Sequence, residues 1–217
     1  MNPFERAAAR YDRWFETSPG REIFAHEVAC LEELVGAGRW LEVGVGTGRF
    51  AAALGIRAGI DPSREMLRRA VSRGVRGIVG RAEALPLAGR SLDGVLLVVT
   101  ICFVDDPAAA IRECARVLRP GGALVLGLVP AESAWGRDYA RKGREGHPFY
   151  AAARFYETTQ VLDLARAAGL VLADARSCLF GPPGAPPDTP PGGSAVRPGL
   201  HPAAGFVALR FTHAPPT

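Results

Sequence analysis

Residues 41–50, LEVGVGTGRF, set glycines at 44, 46 and 48 between a short apolar run and a stretch suited to a helix. A ligand can approach backbone amides closely only where Cβ atoms are missing, and the start of a following helix adds free N–H groups. Glu42 precedes this loop and Asp61 ends the next apolar run, so two carboxylates flank it. A carboxylate at the C-terminal end of a strand can accept both hydroxyls of a ribose diol, each bond contributing about 1.5 to 3 kcal/mol. Two phosphate-binding loops are excluded by spacing. A dinucleotide fingerprint needs a glycine where Arg49 stands, and a Walker loop needs a Gly-Lys-Ser/Thr that does not occur. What remains is a G-x-G-x-G loop between two acids.

The elements that must position these residues alternate. Strand-like runs at 40–44, 58–61, 77–80, 94–100 and 123–129 are separated by helical stretches, the pattern of a parallel sheet covered on both faces. Residues 20–35 read as a helix before the first strand. Ser63 can cap a helix that runs to about Arg73, and Asp106 followed by Pro107 is a cap with a first-turn proline. In that second helix Ile111, Cys114, Ala115 and Leu118 fall on one stripe, and Pro120-Gly121-Gly122 stops it. A last helix over 158–168 leads into a strand from Leu170. Residues 181–202, rich in proline and glycine, read as an irregular connection before a final strand at 206–211.

Composition narrows the class. The chain has 217 residues, 48% apolar and 22% charged, which suits one folded α/β domain over 1–217. A net charge of +4 is carried by basic residues dispersed from Arg6 to Arg210, so it argues for a solvated surface and against nucleic acid. Lys142 is the single lysine, which reads as codon usage and not as function. Cys30, Cys102, Cys114 and Cys178 are isolated, with no histidine at ligand spacing, so neither metal nor disulfides are expected. The N-terminal residues lack the apolar core of a signal peptide and no apolar run spans a bilayer, so a cytoplasmic location is the default expectation.

Five ordered motifs extend the glycine loop: LEVGVGTGRF, GIDPSREML (59–67), GRAEALPL (80–87), SLDGVLLVVT (91–100) and RVLRPGGALVLG (116–127). Over residues 40–127 the chain thereby resembles the class I S-adenosylmethionine-dependent methyltransferases, in their small-molecule type 11 branch. The resemblance implies a Rossmann-like, three-layer fold: a seven-stranded, mostly parallel sheet with its last strand antiparallel and helices on both faces. It implies S-adenosylmethionine as cofactor, with S-adenosylhomocysteine as product. Carried over by position, Glu42 would hold the glycine loop or the methionine amino group, and Gly44, Gly46 and Gly48 would let the backbone pass the cofactor. Asp61, with Pro62 beside it, would grip the ribose; Met66 would lie on the adenine, and Ala82 with Glu83 would edge the ring. Thr100 to Phe103 would line the methyl end. The sequence departs from the family at Arg81, where an acid often stands. The Asn-Pro-Pro-Tyr signature of adenine and amide methylases is absent after residue 98, which disfavours DNA.

In this reading residues 36–129 hold the cofactor, while 1–35 and 130–157 form lids over the acceptor and 158–217 complete the sheet. Both lids are aromatic, with Phe4, Tyr11, Trp14 and Phe15 in one and Trp135, Tyr139, Phe149, Tyr150, Phe155 and Tyr156 in the other. Such rings exclude water and offer flat surfaces to a ring or a cation. Tyr11 is the preferred lid residue, and His147, ahead of Pro148-Phe149-Tyr150, is the candidate base. Arg137, Arg141, Lys142 and Arg144 outnumber Asp138 and Glu145 in this stretch, which fits an anionic acceptor or a solvated charged face. The expected activity is in-line methyl transfer to a small molecule; the alternative is a non-catalytic module that binds the same cofactor.

Overall fold

Apolar runs such as ALVLGL in 123–128 become strands because both of their faces are covered, so neither side chain row needs to be polar. The computed structural model describes residues 3–184 and 196–215. Its elements are α1 (Pro3–Trp14), α2 (Gly20–Glu32), β1 (Trp40–Val43), α3 (Arg49–Ala53), β2 (Ala58–Asp61), α4 (Arg64–Ser72), β3 (Arg76–Val79) and β4 (Leu92–Val98). They continue with α5 (Pro107–Val117), β5 (Leu118–Leu128), α6 (Ala134–Arg144), α7 (Thr158–Ala167), β6 (Leu170–Cys178), β7 (Arg197–Pro198) and β8 (Phe206–His213). One sheet contains every strand, in the order β3-β2-β1-β4-β5-β8-β6-β7. β1 to β5 run parallel, and β8 lies antiparallel between β5 and β6.

Alternate residues feed the two layers. Leu41, Val43, Val95, Leu97, Leu124 and Leu126 join one buried cluster with α5 and α7, while Trp40, Leu96, Val98 and Val125 join a second with α2 and α4. The strand order reverses between β1 and β4, which opens a crevice beyond their carboxyl ends. Helix caps aim the segments that border it. Ser63 Oγ accepts the Met66 N–H at 3.1 Å at the start of α4, and Asp106 accepts the Ala109 N–H at 2.9 Å at the start of α5.

Two sequence expectations are corrected. Among the described residues the sheet has eight strands, because Arg197 and Pro198, inside the stretch read as irregular, pair with Ser177 and Arg176. Proline is accommodated there because the outermost strand needs only one partner. Residues 185–195 of that stretch lie outside the described residues. The helix α5 ends at Val117, and Leu118, read as the last residue of its stripe, opens β5 opposite Leu92 with extended backbone (φ −72°, ψ 132°). Pro120-Gly121-Gly122 therefore lies within β5, where Gly121 takes φ +80° and the β4–β5 register shifts. All four cysteines are free and buried. Among the described residues no helix is long and apolar enough to cross a membrane.

α1 is docked by charge. Asp12, with its side chain 8% exposed, meets Arg49 Nε and Arg73 Nη2, each at 2.7 Å, on α3 and just past α4. Burial pushes the Asp12 carboxyl up, but the hydrogen bonds from Arg49 and Arg73 outweigh it and hold the group down at about 2. Asp12→Asn removes this acceptor of two charge-assisted bonds and is expected to cost about 2 to 3 kcal/mol at pH 7. A carboxyl depressed in the folded state contributes stability above its unfolded value near 4, and loses it as pH falls toward 2. Urea midpoints of the two proteins should thus differ at pH 7 and converge near pH 2; a constant difference across that window refutes the assignment.

Candidate active site

The glycine loop leaves β1 into the crevice with three residues in the left-handed region, Gly44 (φ +72°), Gly46 (φ +51°) and Gly48 (φ +79°). They serve different ends. A Cβ on Gly44 would collide with the Thr100 side chain at 2.2 Å, so this glycine lets the ends of β1 and β4 meet. Thr100 Oγ1 closes the contact by donating to Val98 O at 2.9 Å or Gly44 O at 3.3 Å. A Cβ on Gly48 would press on Ala70 of α4, a packing constraint. A Cβ on Gly46 would meet nothing within 4 Å, and Gly46 borders open space.

That space is a cavity of about 560 Å³. Gly44, Gly46, Asp61, Pro62, Met66 and Thr100 line it, as do Ala82 and Glu83. Asp61 sits at the end of β2, 9% exposed, with Oδ2 accepting the Gly46 N–H at 2.9 Å and Oδ1 accepting the Ser63 N–H at 2.8 Å. Burial pushes its carboxyl up, the two amides oppose this, and Glu5 adds to the rise. Two amides leave lone pairs free on a carboxylate, which has about four acceptor positions. Glu42, 1% exposed, lies behind the loop and does not line the cavity. Burial holds its carboxyl well above the usual range, an Ala51 amide opposes this, Asp61 adds to it, and Oε2 has no partner. Gly48 also stays outside the lining.

The end of β4 carries a distortion that the sequence does not announce. Val99 takes φ +47°, uncommon for a β-branched residue and worth about 1 to 3 kcal/mol of strain. Its N–H is held by Gly127 O at 2.8 Å, and the turn delivers Thr100 to Gly44 before a short helical turn over Ile101–Phe103. Across the cavity Arg81, the departure from the family pattern, pairs with Asp105 and, at 3.2 Å, with Glu83. Glu83 also accepts the Asp105 N–H at 2.9 Å. Asp105 therefore brings a carboxylate to the rim where an acid was missing from the motif, and only the folding of the loop after β4 reveals it.

The roof is aromatic. Phe4 of α1 stands edge-on to Phe103 at 4.8 Å and stacks on Phe149 at 5.4 Å, while Tyr11 meets Phe4 at 5.6 Å and Phe149 at 5.5 Å. The two aromatic segments thus meet over the helical turn after β4. Tyr11 and Phe4 line the cavity, and burial raises the Tyr11 phenol so that it stays protonated. Glu5 reaches down to bond with Ser63 Oγ. His147 does not line the cavity. Its ring stacks on Tyr150 at 4.3 Å, its Nδ1 accepts the Tyr150 N–H at 3.4 Å, and burial, with Lys142 and Arg10, holds it below its ordinary value. Arg141 and Lys142 are taken up by α6 itself, through Asp138 and Glu145. Arg137 and Arg144 are exposed and border a separate groove of about 520 Å³. No group of three or more metal-binding side chains occurs among the described residues.

A family model described as a methyltransferase domain matches residues 41–126. A crystal structure from Thermotoga maritima, described as a SAM-dependent methyltransferase and possible histamine N-methyltransferase, is 40% identical, covers 97% of each chain and superimposes with a TM-score of 0.88. An uncharacterized protein of Mycobacterium tuberculosis is 43% identical over 94% of this chain and 71% of its own. An uncharacterized methyltransferase of the same organism is 37% identical over 67% of this chain and 60% of its own. Identity of this order runs along nearly the whole Thermotoga chain, and the matched segment contains the loop, Asp61 and the end of β4, all of which line the cavity; this chain belongs to the S-adenosylmethionine-dependent methyltransferases.

Proposed function

We propose that the 560 Å³ cavity binds S-adenosylmethionine and that the protein transfers its methyl group directly to a small molecule admitted beneath the aromatic roof. One observation carries the reading: Gly46, Asp61, Met66, Ala82, Glu83 and Thr100, drawn from four separate motifs, face one cavity. The residues fit the cofactor. Asp61 keeps lone pairs for the ribose hydroxyls, Met66 offers an apolar face to the adenine, and the unpartnered Glu42 oxygen suits an ammonium near the glycine loop. When bound, the cofactor supplies a methyl group on a sulfonium that departs as a neutral thioether, so no acid is needed for the leaving group. The chain's task is alignment and the exclusion of water. Thr100 and Phe103 border the path to the acceptor, and Phe4, Tyr11 and Phe149 close it from above.

Calorimetry with S-adenosylhomocysteine should give saturable one-to-one binding, at least tenfold weaker in Asp61→Asn; absence of saturable binding by the natural protein defeats the proposal. His147 is assigned a packing role against Tyr150. His147→Ala is expected to keep methyl transfer from labelled cofactor into a metabolite extract within about threefold, whereas loss of a general base costs on the order of a hundredfold or more.

A further inference from the structure

Two carboxylates enter the cavity from different elements, Asp61 from the end of β2 and Glu5 from the first turn of α1. Ser63 stands between them. Its N–H goes to Asp61 Oδ1 at 2.8 Å and its hydroxyl to Glu5 Oε2, while the same Oγ accepts the Met66 N–H at 3.1 Å. With Ser63 only 2% exposed, the two acids are the side-chain acceptors that this end of the cavity offers a ligand. Glu5 has acceptor positions to spare: among the described residues it forms no ion pair, and Ser63 is its one hydrogen-bond partner. It also lies close enough to push the Asp61 carboxyl up. An acid in the first turn of a helix is common, because the helix dipole favours it, but reaching into a cavity is not part of that role. α1 leaves helical dihedrals at Ala7 (φ −116°, ψ 17°), so the turn with Phe4 and Glu5 is set at its own angle to the length anchored by Asp12. That turn brings Phe4 onto Phe103 and Phe149, and Glu5 onto the start of α4.

We propose that Glu5 is a second carboxylate ligand for the cofactor's ribose, carried on α1, so that the bound cofactor itself holds the roof in place. The inference rests on the methyltransferase reading and adds a residue to its binding site. A vicinal diol has two protons to donate, and Asp61 already commits one position on each oxygen to a backbone amide, Oδ2 to Gly46 and Oδ1 to Ser63. A second acid beside it lets the two hydroxyls be divided between two carboxylates, each in a charge-assisted bond. The bond to Ser63 leaves room for this. It occupies Glu5 Oε2 alone, whereas a carboxylate has about four acceptor positions. Asp61 is fixed to the sheet and Glu5 to the helix that carries Phe4, so a ribose bonded to both favours the arrangement in which α1 covers the cavity.

The test is a cycle between a ligand hydroxyl and the side chain, read by calorimetry on the full chain. S-adenosylhomocysteine and its 2′-deoxy and 3′-deoxy analogues are titrated into the natural protein, Glu5→Ala and Glu5→Gln. The natural protein should bind at least one deoxy analogue roughly tenfold or more weakly than the parent, because a hydrogen bond to a charged acceptor is lost. In Glu5→Ala the parent should bind roughly fivefold or more weakly, that analogue should bind as it does to the natural protein, and the penalty for the missing hydroxyl should shrink by the same factor. Glu5→Gln, which keeps an acceptor oxygen without the charge, should fall between the two. A role confined to docking α1 through Ser63 gives a different pattern, with the parent and both analogues weakened by one common factor. That common factor, or unchanged binding of all three by Glu5→Ala, overturns the proposal. If Glu5→Ala fails to fold, the same comparison in Glu5→Gln decides. Absence of S-adenosylhomocysteine binding by the natural protein defeats the cofactor reading, whereas binding that depends on Asp61 but shows no coupling between Glu5 and a hydroxyl defeats this inference alone.

Discussion

The Asp61 carboxylate is the tie on which the cavity depends. It ends β2, and its two oxygens take the N–H groups of Gly46 in the loop and Ser63 at the start of α4. Backbone amides are strong donors, and the buried Ser63 N–H left without an acceptor would cost about 1 to 3 kcal/mol. One side chain therefore fixes both the loop that leaves β1 and the helix that follows β2. Ser63 passes the constraint on: its hydroxyl caps Met66 and meets Glu5, so α4's first turn and α1 inherit their placement from the same acid.

The roof is held by a different force from the walls. The walls are strands whose side chains are buried on both faces, where packing dominates. α1 instead sits on Asp12, gripped by Arg49 and Arg73, with its aromatic residues turned toward Phe103 and Phe149. An ion-paired helix with an aromatic underside is held less firmly than a packed core and is sensitive to acid.

Much of this was legible because it follows from local chemistry. Ser63 and Asp106 cap helices through their own side chains, and the glycine loop declares a close approach by lacking Cβ atoms. The failures are equally physical. Leu118 has an apolar side chain that either a helix stripe or a strand would bury, so its periodicity could not separate the two. Gly48 shares its type with Gly46, yet one clears a neighbouring helix and the other borders the cavity, a difference set by distant Ala70. The φ +47° of Val99 is imposed by Gly127 on the adjacent strand, and Asp105 reaches the rim only through the turn after β4. Non-local contacts of this kind leave no trace in spacing.

Charge supplies the last step. Glu42 and Glu27 are both buried, both raised by that burial, and both within electrostatic reach of Tyr11. A buried acid with an unpartnered oxygen costs folding free energy, and an apolar residue of similar volume is often neutral or stabilising at such a position. A protein retains such groups where a ligand brings the opposite charge. The donor proposed here is cationic at its sulfonium and its ammonium. Two buried acids near one tyrosine make this end of the molecule favourable to such a cation.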